Sequence, residues 1–242
     1  MVLYDLFVAN DGDLRLGLLN VVAFIVALLT ALILHEISHG LVALWNGDNT
    51  AKLYGRLSVN PLKHIDLIGL VFMLIIGFGW ARPVPVNPNN FKNKKVGAIT
   101  VSLAGVLTNL VLAFIATMVM VLLGKVNLTN VSMSVYYTVY FFYQLSYLVL
   151  LLNVSFALFN LLPLYPLDGY RLLSCFINSN SRFLTFLRRY STYILMGLVA
   201  LNLLSAYISV IPHISPLYWY VNGLGGLIRD GFEQFWRLIF NG

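Results

Sequence analysis

Four long apolar stretches constrain this chain more than any other feature of its sequence. A helix that crosses a membrane needs roughly 20 mostly apolar residues. Only 10% of the 242 residues are charged, whereas about 25% are charged in a typical soluble domain, so there are too few charges for a water-exposed surface. The sequence therefore predicts an all-α polytopic membrane protein, a single membrane-embedded domain over 1–242, with spans at about 16–45, 96–123, 135–162 and 190–211.

Region 49–93 departs from this helical pattern. Its apolar stretch Leu67–Trp80 has about 14 residues, which is short for a span. The residues that follow, 82–90, are rich in proline and asparagine, which favour turns and extended backbone. We expect a re-entrant or β-like membrane-associated element here, supported by surrounding protein or a water-filled cavity. An ordinary cytoplasmic loop is the alternative.

The C-terminal stretch 223–240 mixes charged and aromatic residues. Arg229, Asp230 and Glu233 stand among Phe232 and Trp236. This composition is typical of an amphipathic helix that lies in the membrane interface, and it does not favour a span.

Basic residues in the loops indicate which side of the membrane each loop faces. If Leu67–Trp80 does not cross, eleven of the fifteen lysines and arginines lie on one side, which the positive-inside rule makes cytoplasmic. This distribution accounts for the net charge of +6 without a nucleic-acid partner, and the lipid bilayer is the surface that we expect the protein to contact. The eleven residues are Lys52, Arg56, Lys63, Arg82, Lys92, Lys94, Lys95, Arg171, Arg182, Arg188 and Arg189.

The run His35-Glu36-Ile37-Ser38-His39 ends the first predicted span. His35 and His39 are one helical turn apart, so both imidazoles project from one face toward a single metal ion. Glu36 lies next to that face, where it can take a proton from a water at the metal. Ionisable residues within a span are costly and usually functional, which favours a zinc site over a polar helix end.

Catalytic zinc sites usually have three protein ligands and a water, so one ligand has to come from elsewhere in the chain. The candidates are Asp66 and Asp168, with His64 and His213 as nitrogen donors. Asp168 follows the third predicted span in a turn with two prolines and a glycine, which places it on the same side as His39. Position favours Asp168 over Asp66 by about two to one, and capping of the following helix is the other role open to Asp168.

Together these residues resemble the site-2 protease family of intramembrane zinc metalloproteases. The family's HExxH motif is present at 35–39, and its closing NxxPxxPLDG motif is matched at Asn160, Pro163, Pro166, Leu167, Asp168 and Gly169. A middle motif of the type AGPxxN is matched at Ala104, Gly105 and Asn109, with Val106 in place of proline. A glycine that often follows the Asp-Gly pair is Tyr170 in this chain. The resemblance covers about residues 30–175.

The resemblance implies a role for each matched residue. His35, His39 and Asp168 would bind one zinc ion per chain, and Glu36 would be the general base. Asn109 and Asn160 would be candidates for contacts to the substrate backbone or the oxyanion, although Asn160 is equally placed to hydrogen-bond a neighbouring helix. The chain looks like a compact member of the family without a PDZ or CBS domain.

The resemblance also implies an activity: hydrolysis of peptide bonds within or near a transmembrane segment, as in regulated intramembrane proteolysis. The expected substrate is a single-span membrane protein or a signal-peptide-like segment. We expect a multi-pass protein of a prokaryotic cell membrane, with its active site near the cytoplasmic side. The first alternative is a catalytically silent protein of the same fold that binds membrane helices. The second, a small transporter, is disfavoured because we find no internal repeat. The sequence leaves the oligomeric state open.

Overall fold

The computed structural model of the chain describes residues 13–76, 79–207 and 215–241. His213, one of the four histidines, lies outside these ranges. Short 3₁₀ turns occupy Pro61–Lys63 and Pro88–Asn90, and a π-helical segment occupies Trp219–Leu224. The helices are α1 (Leu14–Trp45), α2 (Thr50–Leu53), α3 (Leu67–Ile76), α4 (Lys94–Leu123), α5 (Met133–Leu161), α6 (Asp168–Ser174), α7 (Arg182–Tyr207), α8 (Pro216–Tyr218) and α9 (Gly225–Asn241).

Three of these helices, α1, α4 and α5, are long and apolar enough to cross a membrane. They have 32, 30 and 29 residues, and at about 1.5 Å of rise per residue each exceeds the roughly 30 Å thickness of a bilayer's hydrocarbon core. Each begins at a polar side chain that accepts hydrogen bonds from the first turn, namely Asp13, Asn93 or Ser132. The first three predicted spans are therefore confirmed as helices of membrane-spanning length.

Small side chains allow these three helices to pack closely. Ala23, Ala27 and Leu28 of α1 form a buried cluster with Leu148 of α5 and Met73 of α3. A second buried cluster joins α4 and α5. Alanine leaves little side-chain volume between neighbouring backbones, which is how helices associate where lipid replaces water. The members of the second cluster are Ala113, Ala116, Met120, Leu150, Val154 and Leu158.

The residues that flank the segment Leu67–Trp80 lie side by side and are hydrogen-bonded to each other. An isolated antiparallel bridge joins Ile65 to Ala81, and the Arg82 amide donates to the His64 carbonyl at 2.8 Å. Among the described residues of region 49–93, the β-like structure that we predicted is limited to this bridge. The depth of α3 in the bilayer, and hence the re-entrant element, stays a prediction.

The fourth predicted span and the C-terminal stretch have different outcomes. The predicted span 190–211 overlaps α7, but residues 208–211 lie outside the described ranges, so this span stays a prediction.

The C-terminal stretch forms α9 as a helix, and its aromatic face packs along α4. The ring of Phe114 lies 4.8 Å from that of Trp236, whose indole N–H donates to the Phe114 carbonyl at 2.9 Å. Its predicted place in the membrane interface is untested.

The C-terminal end of α1 lies beside the N-terminal end of α4. The Lys92 amide donates to the Asn46 carbonyl at 2.9 Å, and the Asn46 side chain donates to Thr100 Oγ1 at 3.0 Å. At its own C-terminal end, α5 leads through a short turn into α6. This arrangement brings the part of α1 that carries His35 and His39 close to Asp168 at the start of α6.

Candidate metal centre

His35 and His39 lie one turn apart on the buried face of α1, as their spacing predicts. Both side chains are buried, and their Nε2 atoms are 3.1 Å apart. The two rings meet edge to face, with centroids 4.7 Å apart. The two imidazoles therefore point at one common position.

The other nitrogen of each imidazole contacts α4. His35 Nδ1 lies 2.9 Å from Oδ1 of Asn109, and His39 Nδ1 lies 2.7 Å from the Val101 carbonyl oxygen. Both partners are acceptors, so each Nδ1 carries the hydrogen and donates it. This assigns the tautomer of both rings and leaves an unprotonated Nε2 free to bind a metal.

Asp168 completes the cluster from the turn between α5 and α6. Amide-to-carbonyl bonds of 2.8 Å, from Leu164 to Leu162 and from Leu167 to Leu164, tighten that turn. Asp168 Oδ2 lies 3.2 Å from Nε2 of His35 and 3.1 Å from Nε2 of His39. The third member of the cluster is therefore a carboxyl oxygen that faces both Nε2 atoms.

The three converging atoms suit a zinc ion. Two Nε2 atoms and one Oδ2 atom form a triangle with edges of 3.1 to 3.2 Å. Tetrahedral zinc with bonds of about 2.0–2.1 Å needs ligand atoms roughly 3.3 Å apart. Asp168 Oδ2 is buried and has no hydrogen-bond partner, and three facing lone pairs are unfavourable unless a cation lies between them. Two imidazoles and one carboxylate leave a fourth position for water, as in catalytic zinc sites.

Glu36 is next to this triangle but is not part of it. Its carboxylate is half-buried, and Oε2 accepts a hydrogen bond from the Val84 amide at 2.7 Å. The contact leaves Oε1 available to a water or a substrate. This placement suits a proton acceptor beside a metal rather than a ligand.

The other candidate residues have different surroundings. Asn109 is 0% exposed and orients His35, so a contact from its Nδ2 to substrate stays a prediction. Asn160 donates to the Phe156 carbonyl of its own helix at 3.0 Å, and its proposed substrate contact is likewise untested. Asp66 Oδ1 accepts from the Gly69 amide at 3.0 Å at the start of α3, and His64 Nε2 bonds the Ser58 carbonyl at 2.7 Å. Neither Asp66 nor His64 belongs to the metal cluster.

Gly105 is a site residue whose role the sequence pattern did not reveal. A β-carbon at this position would lie 2.5 Å from Nε2 of His35 and 2.6 Å from its Nδ1. Only glycine allows α4 to approach the imidazole this closely. The pairing of Ala104 and Gly105 in the middle motif was the available signal.

Backbone groups also contribute to the site. The Val84 amide donates to the Glu36 carboxylate, and the Val101 carbonyl accepts from His39. No side-chain pattern could have identified either backbone group. Arg171, one turn along α6, places Nη1 3.6 Å from Asp168 Oδ1 and is half exposed. These groups approach the metal cluster from three parts of the fold: the stretch that holds Val84, helix α4 and helix α6.

The fold and the site define a helical membrane protein with a buried His-His-Asp cluster that could hold a metal ion, two of whose members lie on an HExxH helix. The chain is 39% identical over 154 residues to the protein named "Putative zinc metalloprotease YwhC" of Bacillus subtilis, an alignment that covers 62% of this chain and 66% of the relative. It is 32% identical over 185 residues to "Putative zinc metalloprotease Rip2" of Mycolicibacterium smegmatis, covering 73% of this chain and 66% of the relative. The chain is therefore similar to two proteins named as putative zinc metalloproteases, which agrees with the resemblance that its motifs carry.

The alignments cover just under two thirds of each relative's length. No protein-family model matches the chain, and no solved structure matches it. The likeness to zinc metalloproteases therefore comes from these two relatives and from the residues of the site.

Proposed function

We propose that this protein is an intramembrane zinc metalloprotease that hydrolyses peptide bonds within or near a transmembrane segment of a membrane protein. The observation that carries the proposal is the convergence of His35 Nε2, His39 Nε2 and Asp168 Oδ2. The two histidines and the neighbouring Glu36 lie on a helix of membrane-spanning length. The printed names of both relatives support a metalloprotease.

The residues divide the chemistry between them. His35, His39 and Asp168 would hold a zinc ion, which would supply Lewis acidity toward a carbonyl oxygen and lower the pKa of a water molecule at the site. Glu36 accepts the proton of the attacking water through Oε1 and returns it to the leaving amine. Asn109 and the Val101 carbonyl keep the two imidazoles in the required tautomer and orientation.

A cavity of about 280 Å³ next to the metal cluster supports access for water and substrate. Its lining includes Val84, Val101 and Arg171, which contact Glu36, His39 and Asp168 respectively. The cavity is bounded by the 84–91 stretch, the N-terminal part of α4, and α6. One lining residue therefore separates this cavity from each of Glu36, His39 and Asp168.

The substrate class follows from the site's position. A transmembrane helix satisfies its carbonyls internally, so it has to unwind locally before a carbonyl can reach the site. We propose a single-span membrane protein or a signal-peptide-like segment as substrate. The basic loops support a cytoplasmic position for this end, and the bacterial sources of both relatives support a multi-pass protein of a prokaryotic cell membrane.

The test compares membrane fragments in cells that express the wild type, Glu36→Gln or Glu233→Gln. Glu233 is the only other glutamate in the chain, and it forms an exposed pair with Arg237, so it is a matched control. We expect fragments that require Glu36 and persist in Glu233→Gln, with zinc retained by all three proteins. Zinc binding without any Glu36-dependent fragment would contradict the proposal and favour a protein that binds membrane helices without cutting them.

A further inference from the structure

The 82–90 segment runs past the site without regular structure from Arg82 to Asn87 and ends in the 3₁₀ turn Pro88–Asn90. Beyond the Arg82 amide, which donates to the His64 carbonyl, side chains hold it in place. It contains prolines at 83, 85 and 88, which have no amide hydrogen to donate. Between residues 83 and 88 the only backbone donors are therefore Val84, Val86 and Asn87. The Val84 amide donates to Glu36 Oε2, and the Asn87 amide donates to Asp48 Oδ2, each at 2.7 Å.

Asp48 is the main anchor of this segment. It is 0% exposed, and besides the Asn87 amide it accepts from the Asn90 side chain at 2.8 Å and from the amide and hydroxyl of Thr50. Burial alone raises the pKa of this carboxyl, but these donors outweigh burial and lower it. A buried carboxylate with four donors holds the segment in one place.

Asp48 is also fixed to the helix that carries Glu36. Its amide donates to the Ala43 carbonyl of α1 at 2.9 Å. On the other side, Arg56 donates to the Arg82 and Pro83 carbonyls at 2.8 Å and 3.2 Å. The Val84 amide therefore has a fixed position relative to Glu36, although it is 48 residues away in sequence.

Glu36 needs such a fixed donor. Its half-buried carboxylate stands at the end of a side chain with several rotatable bonds, and a general base works only when it is held within reach of its proton. A hydrogen bond to Oε2 removes this freedom and leaves Oε1 directed at the site. A purely structural role for the segment would not require the Val84 amide to donate its hydrogen bond to Glu36, the acidic residue beside the metal cluster.

We propose that the 82–90 segment orients the general base: the Val84 amide fixes the Glu36 carboxylate, and Asp48 is a positioning residue that acts through the segment. The inference rests on the proposed proteolytic function. It adds that the base is oriented by backbone from outside its own helix.

Amide hydrogen exchange tests the contact without any substrate. Because Pro83 and Pro85 carry no amide hydrogen, a fragment from Arg82 to Val86 reports on Val84 and Val86 alone. We expect the Val84 amide to be protected in the wild type and to exchange at least about tenfold faster in Glu36→Ala and in Asp48→Asn. Asp66→Asn, a matched change at an aspartate that starts α3, should leave the exchange unchanged. Equal protection in the wild type and Glu36→Ala would overturn the inference.

Kinetics test whether the contact matters for the base. Val84→Pro and Val84→Ala both remove the isopropyl side chain, but only Val84→Pro removes the amide hydrogen. With a single-span peptide carrying a fluorophore and quencher, we expect kcat to be at least about tenfold lower for Val84→Pro than for Val84→Ala, with KM within about threefold. Equal kcat values in the two variants would contradict the positioning role. If Val84→Pro does not fold, as judged by zinc content and thermal unfolding, Asp48→Asn against Asp66→Asn provides the same kcat comparison.

The two proposals fail in different ways. If Glu36→Gln abolishes cleavage but Val84 exchange and kcat do not respond, the protease assignment stands and the positioning role falls. If the exchange results hold but no cleavage depends on Glu36, the contact is real, and the protease assignment and the positioning role both fall.

Discussion

His35 Nδ1 and Asn109 Oδ1 lie 2.9 Å apart, across the interface of two helices that are long enough to span a membrane. The contact is buried, and it sets which nitrogen of His35 faces the metal cluster. Asn109 therefore acts on a metal ligand through a hydrogen bond, whatever further contact its Nδ2 makes.

Removing the Asn109 acceptor should weaken metal binding. We expect Asn109→Leu to lower zinc affinity by about 10- to 100-fold, the usual effect of losing a partner that orients a ligand. Asn109→Asp keeps an acceptor at the same place and should stay within a few-fold of the wild type. Competition with a chelator measures both affinities, and equal affinities for Asn109→Leu and the wild type would rule out the orienting role.

Gly105 should tolerate no side chain. In Gly105→Ala the new methyl group would lie 2.5 Å from Nε2 of His35, so the ring has to turn away from the cluster. We expect loss of most bound zinc on dialysis. Gly197→Ala is the matched control because a β-carbon there meets nothing within 4 Å, and this change should leave zinc content unaltered. Metal analysis of the two purified proteins decides the question, and normal zinc content in Gly105→Ala would refute the proposed close approach.

The third ligand can be assigned by comparing two aspartates. Asp168→Ala should reduce zinc from about one per chain to nearly none, because it removes one of three protein ligands. Asp66→Ala should retain zinc, since Asp66 Oδ1 accepts from the Gly69 amide and lies outside the cluster. The opposite result, zinc lost only in Asp66→Ala, would mean that the site is assembled differently.

The sequence predicts the two histidines well and Asp168 less well, for a physical reason. The i and i+4 spacing fixes two side chains on one helix face through local geometry alone. Asp168 reaches the site only through the packing of α5 against α1 and α4, which no local rule specifies, so Asp66 remained open until the family resemblance favoured Asp168. The resemblance then supplied a role for Asn109 but not its contact with His35.

Region 49–93 shows what a sequence pattern leaves undetermined. The turn-forming residues of 82–90 indicate extended backbone, and the structure shows an extended segment. Beyond the Arg82 amide, which donates to the His64 carbonyl, the partners of that backbone are the side chains of Glu36, Asp48 and Arg56. Hydrogen bonds from a backbone amide to a distant carboxylate have no periodic signature, so this anchoring could not be read from the sequence.

Asp48 should make stability depend on pH in a defined direction. Its pKa is lowered from the ordinary value of 3.8, so its stabilising contribution is fully present above that value and is lost as pH falls through the lowered pKa. We expect Asp48→Asn to reduce the free energy of unfolding near pH 7 by about 1–3 kcal/mol, because buried donors lose their acceptor. Thermal unfolding in detergent at neutral and acidic pH measures this, and the gap between the two proteins should narrow at the acidic end. A gap that widens as pH falls would have the wrong sign for this account.

The most direct test of the central claim is the rate of cleavage of a single-span peptide by the wild type and by Glu36→Gln at equal zinc content. Glutamine keeps the size of the side chain but cannot accept the proton of water. The account predicts one zinc per chain in both proteins and cleavage that is at least about 100-fold slower in Glu36→Gln. Cleavage at the wild-type rate by zinc-loaded Glu36→Gln would contradict it.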